Sequence, residues 1–209
     1  MSHFSQIRLM KRLYCGHENA IEVLDFASPG PDASERLKTV STKREKGGQR
    51  GIISALAFSP DYSGLYAAGS FSGTVSLYTE DTGATPVQHI DGVAFHPLNP
   101  QTMFVASRRS NVIQVFDIRD TSRQLSELKK VGASNQRLWF DVDPWGRYLG
   151  SGDETGEISV WNLSDLSTPI IKEKLHDVPP VHAGYPLSLG IPRIFATTIF
   201  NRFRYRKLL

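Results

Sequence analysis

Ala20-Ile21-Glu22-Val23-Leu24-Asp25-Phe26 alternates apolar and polar residues, the period-two pattern of a strand with one face buried. Short patterns of the same kind then recur three times with one internal layout. The cleanest copy opens with Ile53-Ser54-Ala55-Leu56-Ala57-Phe58-Ser59-Pro60, passes Gly69-Ser70 and closes on Gly73-Thr74-Val75-Ser76-Leu77-Tyr78. The next has Val93-Ala94-Phe95-His96-Pro97, Ala106-Ser107 and Val112-Ile113-Gln114-Val115-Phe116-Asp117. The last has Leu138-Trp139-Phe140-Asp141-Val142-Asp143-Pro144, Ser151-Gly152 and Gly156-Glu157-Ile158-Ser159-Val160-Trp161-Asn162. From proline to terminal aromatic the distances are 18, 19 and 17 residues, and the aromatics stand 38 and 45 residues apart. Each copy predicts strand, proline turn, strand, hairpin, strand, with glycine in the hairpin of the first and last copies.

A repeat of about 40 residues with this rhythm is the signature of WD-type β-propeller blades. The chain therefore reads as all-β, an incomplete propeller of three to four blades, with residues 14–175 as the repeat region, 1–13 as an N-terminal segment and 176–209 as an irregular tail. Small residues such as Ala67, Ala68 and Gly69 suit the close approach of neighbouring blades, and Tyr78, Phe116 and Trp161 are expected to wedge between them. Leu24-Asp25 aligns with Phe116-Asp117 and Trp161-Asn162, so residues 14–26 read as the second half of a blade whose first half is missing. Ser28 to Gln49 reads as a basic, strand-bearing connection ending in Gly47-Gly48; its basic residues, Lys43-Arg44 among them, suit a solvated loop, a phosphate-contacting edge or a weak nuclear import signal. Outer strands are expected at Pro86–Ile90 and Pro169–Leu175, the former in a connection that looks a few residues short. The tail has no acidic residue after Asp177 and interleaves Arg202, Arg204 and Arg206 with Phe203 and Tyr205, a composition suited either to RNA contact or to a non-homologous end.

The composition, 40% hydrophobic and 10% aromatic, is that of a globular protein, and a net charge of +3 with a pI near 9 identifies no nucleic-acid partner without a localised patch. The single cysteine, Cys15, excludes an intramolecular disulfide and is expected to be buried. No apolar run reaches membrane-spanning length and no signal-peptide h-region is visible, so no membrane partner is expected. Nucleophile-elbow, P-loop and metalloprotease motifs are absent, so no catalytic residue, cofactor, metal or small-molecule substrate is expected. Asp141, Asp143, Asp153 and Glu154 cluster in the last copy, and His96 occupies the place of Ser59 and Asp143; all read as turn-capping residues.

The candidate binding face gathers Arg108 and Arg109 from one hairpin with Asn135, Gln136, Arg137 and Arg147. An exposed arginine pair has no evident folding role and suits phosphate or an acidic partner.

Gly51 to Pro60, and above all Asn135-Gln136-Arg137-Leu138-Trp139-Phe140-Asp141-Val142-Asp143-Pro144 followed by Gly146-Arg147-Tyr148-Leu149, resemble the telomerase Cajal body protein family of WRAP-type WD-repeat proteins. The likeness covers roughly residues 14–165 and continues through Ser151-Gly152 and Gly156 to Trp161. It implies a nuclear scaffold that binds small Cajal body RNA, telomerase RNA or small nuclear RNA with their RNP proteins and directs them to Cajal bodies. It also implies about seven blades, more than the motifs here supply. Asn135, Gln136 and Arg137 are the distinctive match. A generic WD adaptor for proteins, with no RNA role, and a non-functional fragment are the competing readings.

Overall fold

The computed structural model describes residues 4–8, 12–27, 30, 33–40, 48–80, 83–87, 92–132 and 138–174. Every regular element among them is a strand, arranged as four four-stranded antiparallel sheets, each formed by consecutive strands. The first sheet is β1 Phe4–Arg8, β2 Arg12–His17, β3 Ala20–Asp25 and β4 Ser34–Lys38. The second is β5 Ile53–Phe58, β6 Leu65–Ser70, β7 Val75–Thr79 and β8 Gly83–Val87. The third is β9 Gly92–Phe95, β10 Thr102–Ala106, β11 Val112–Asp117 and β12 Asp120–Lys129, and the fourth β13 Phe140–Val142, β14 Tyr148–Gly152, β15 Glu157–Asn162 and β16 Asp165–Lys174. These are the blades of a β-propeller arc.

Two sequence expectations change here. The first blade is not missing its first half: β1 and β2 supply it, so the repeat region begins inside the segment assigned to residues 1–13. The outer strand of the second blade begins earlier than expected, at Gly83, and includes Pro86 and Val87; residues 88–90, like 175–209 and Lys43-Arg44, lie outside the described residues. Asp165–Lys174 contains most of the expected fourth outer strand.

Register shows how one sequence pattern builds each blade. Tyr66, Met103 and Leu149 pair with Tyr78, Phe116 and Trp161, respectively, and each pair packs on the preceding sheet. The neighbouring strand positions face the following sheet: Tyr14, Ile21 and Val23, then Ala67, Val75 and Leu77, then Phe104, Ile113 and Val115. Alternation along each strand thus fills two interfaces, not one interface and solvent. The closing aromatics are buried as expected, and full burial of each is worth about 2–3 kcal/mol. Between the first and second blades, Tyr14 meets Phe58 edge-on at 4.8 Å, and Tyr66 stacks on Tyr78 at 5.4 Å. Cys15 is buried; burial, and secondarily the Glu22 charge, raises its thiol pKa.

Polar side chains tie the linkers to the blades. Gln49, 1% exposed, donates from Nε2 to Ala68 O at 2.7 Å and Thr74 O at 2.8 Å, and accepts the Tyr78 hydroxyl at 3.0 Å. Asn19 Oδ1 accepts Gly51 N–H at 2.8 Å, and Asn111 Oδ1 accepts Gly132 N–H at 2.9 Å. In each case an asparagine of a hairpin holds the chain as it enters the next blade.

Candidate nucleic-acid interface

A four-stranded blade has two ends. Turns between first and second strands lie at one; turns between second and third strands, with the links to the next blade, lie at the other. Arg108 and Arg109 are in the β10–β11 turn, whereas Arg147 is in the β13–β14 turn. Hydrogen bonds confirm that these rims are distinct. His96 Nε2 meets Gly146 O at 2.8 Å across the first rim, while Lys130 N bonds Asn111 O and Glu154 N bonds Val131 O along the second. Strands of five or six residues hold the rims about 17 Å apart. The single face expected to gather Arg108, Arg109 and Arg147 is therefore divided. Strand parity, which alternates the ends at which successive turns fall, explains the division.

On the linker rim, Arg108 is half-buried rather than exposed. Its guanidinium carbon lies 4.7 Å from the Phe71 ring centroid on the neighbouring blade. Arg109 is exposed, with a left-handed φ of 55° that turns the hairpin. Asn135, Gln136 and Arg137 lie outside the described residues. The residues bounding that segment sit on the linker rim: Gly132 is held by Asn111, and Trp139 O accepts the Ser151 hydroxyl.

Lys130 is a third cation here that the sequence reading missed. It follows the exposed end of β12 yet is 7% exposed. Burial pushes its ammonium down to about 8, against the opposing pull of Asp153. Asp153 Oδ1 accepts Thr155 N, Thr155 Oγ1 and Glu157 N at 2.8, 2.6 and 3.1 Å, while Oδ2 is buried with no hydrogen-bond partner among the described residues. The signal for Lys130 was one of position, a polar residue immediately after buried Leu128 and exposed Lys129, where the strand alternation would bury it.

Asp143 caps its turn as expected, accepting Arg147 N and Tyr148 N through Oδ1. His96 Nδ1 accepts Leu98 N and Asn99 N at 3.1 and 2.9 Å, so Nε2 carries the proton and donates to Gly146 O. These carboxylates and the imidazole are committed to turns, and among the described residues no group of three potential ligands is placed to hold a metal. Arginine on an aromatic ring, a second exposed arginine and a nearly buried ammonium together suit a polyanion with stackable bases.

No established family profile matches the chain. It is 36% identical over 160 residues to telomerase Cajal body protein 1 of Mus musculus, covering 73% of this chain and 29% of that protein. It is 35% identical over 158 residues to the Homo sapiens protein of the same name, covering 72% and 28%. With the Drosophila melanogaster homolog it shares 32% identity over 100 residues, covering 46% and 17%. The chain thus spans under a third of the length of these curated relatives.

Proposed function

The chain belongs to the telomerase Cajal body protein family of WD-repeat proteins, and from that premise we propose that it is a non-catalytic scaffold of nuclear RNP biogenesis. It binds small Cajal body, telomerase or small nuclear RNA and carries it, with its RNP proteins, to Cajal bodies. The linker rim is the RNA-contacting surface. The observation that carries this reading is the Arg108–Phe71 stack, with Arg109 beside it and Lys130 on the same rim. Arginine over an aromatic ring offers phosphate neutralisation and a platform for an unstacked base in one place. Asn135, Gln136 and Arg137, the distinctive match in the sequence, are further candidates for RNA contact. Arg147, on the other rim, is no longer part of it.

The test is fluorescence anisotropy of the full chain with a labelled single-stranded hairpin loop from a small Cajal body RNA, at several salt concentrations. Affinity should fall linearly with log salt, and Arg108→Ala with Arg109→Ala should lower the slope by roughly 1.4, about 0.7 for each lost phosphate contact. Crosslinking of tagged protein in cells, with Asn135, Gln136 and Arg137 changed to alanine as control, identifies the RNA. A slope unchanged by the double substitution would remove the RNA from this rim.

A further inference from the structure

The turn rim opposite the RNA surface carries one large exposed hydrophobic side chain per blade in three consecutive blades. Tyr62 is 72% exposed in the β5–β6 turn, Leu98 71% in the β9–β10 turn and Trp145 63% in the β13–β14 turn. Each lies one or two residues after the proline that opens its turn, Pro60, Pro97 or Pro144. Scattered single exposed hydrophobics mean little, but a row on corresponding turns of adjoining blades forms a surface. The turns are held in place: Asp61 Oδ1 caps Ser63 N at 3.0 Å, and the His96 imidazole bonds both its own turn and Gly146 of the next.

Spacing selects the partner. Packed sheets lie about 10 Å apart. Seven residues of α-helix rise about 10.5 Å and return nearly to the same face. Three residues of extended chain also span about 10 Å, but they put successive side chains on opposite faces. A helix can reach all three blades from one side; a strand cannot. The row ends in a cation: the Arg147 guanidinium carbon lies 5.1 Å from the Trp145 ring centroid and 5.6 Å from that of Tyr148, with Asp143 Oδ2 3.5 Å from its Nε. The same rim carries Asp61 in a turn and Asp120 and Asp165 at the strand starts beside its turns, while Arg119 there is paired with Asp117, which disfavours phosphate. We propose that this rim docks an amphipathic helix of a protein partner, with apolar residues at i, i+7 and i+14 on Tyr62, Leu98 and Trp145, and a carboxylate at its end paired with Arg147.

The probe is a labelled helical peptide of about 18 residues with leucines at positions i, i+7 and i+14 and a glutamate beside the last. Its control has the same composition with leucines at i, i+4 and i+8. The full chain should bind the first peptide at least tenfold more tightly than the second, and Leu98→Asp or Trp145→Ala should each weaken it tenfold or more. Arg108→Ala should leave peptide binding unchanged, and Leu98→Asp should leave RNA binding unchanged. Leu98→Gln provides a second variant should Leu98→Asp alter the thermal transition. Equal binding of the two peptides, indifference to both rim substitutions, or displacement of the peptide by an oligouridine probe would overturn the proposal.

Discussion

Lys130 shows how a single side chain sets a pH dependence. Its proton leaves near 8 in the folded protein but is held to 10.5 when burial is lost. Between those values the unfolded chain binds more protons, so this residue makes stability rise with pH. The expected gain from pH 7 to 10 is up to roughly 3 kcal/mol, at about 1.36 kcal/mol per unit. Lys130→Met should be more stable than the parent at pH 7 by about 1–3 kcal/mol, with a flatter profile, as read from urea midpoints at intervals up to pH 10. Higher pH brings the opposite trend. Burial raises the pKa of the Tyr78 and Tyr14 phenols to about 12, with the Glu80 bond helping at Tyr14. Unfolding releases their protons nearer 10, so their contribution is lost as pH rises above that value. Tyr66 differs from both. Its hydroxyl is buried with no hydrogen-bond partner among the described residues, so Tyr66→Phe should be neutral or stabilising by about 1 kcal/mol. A loss of more than that in chemical denaturation would mean that the hydroxyl finds a partner. Gly146 combines a φ of +62° with a Cβ position blocked by the His96 ring. Gly146→Ala should cost about 2–3 kcal/mol, and much less in a His96→Ala background. Additive costs in that double-mutant cycle would separate the two residues.

At the scale of the element, strand alternation and turn residues were legible, and linker chemistry was not. Ile53 to Tyr78 could be read strand by strand because each run has period two and each break has proline or glycine. The first blade was read as half a blade because β1 and β2, around residues 9–11, lack the proline turn of the other copies. The candidate site was legible as residue types, since Arg108 and Arg109 do lie in a hairpin. Its division was not, because assigning turns to rims requires counting strand reversals through a connection of irregular length. Gln49 was also missed, as a polar residue in a basic loop looks solvated until three partners converge on it. Gln49→Leu removes two donors and one acceptor from buried groups while keeping much of the volume. The expected cost is about 3 kcal/mol or more, measured by chemical denaturation. A cost below about 1 kcal/mol would show that water replaces those bonds.

In the whole molecule, the two rims separate two kinds of recognition. The linker rim places Arg108, Arg109 and Lys130 near one another, whereas the turn rim displays Tyr62, Leu98 and Trp145. Substitution at either should leave the other's ligand unaffected, because the two middle strands of each sheet, hydrogen-bonded on both sides, separate the rims. Interfaces repeat between neighbouring blades, so Trp161→Ala, emptying the interface between the third and fourth, should cost about 3–5 kcal/mol. The loss should be concentrated in the fourth blade and seen as earlier hydrogen exchange from β13 to β16 than from β5 to β7. Uniform acceleration across all blades would show that the arc unfolds as one unit.

Because Cys15 is the chain's single thiol and is buried within the second strand of the first blade, the protein carries its own reporter of breathing at that end. Its rate of modification by a disulfide reagent, set against that of a free thiol, measures how often the packing around that strand opens. Repeating the reaction with RNA or the helical peptide bound would then register whether a ligand on either rim quiets motion at a distance.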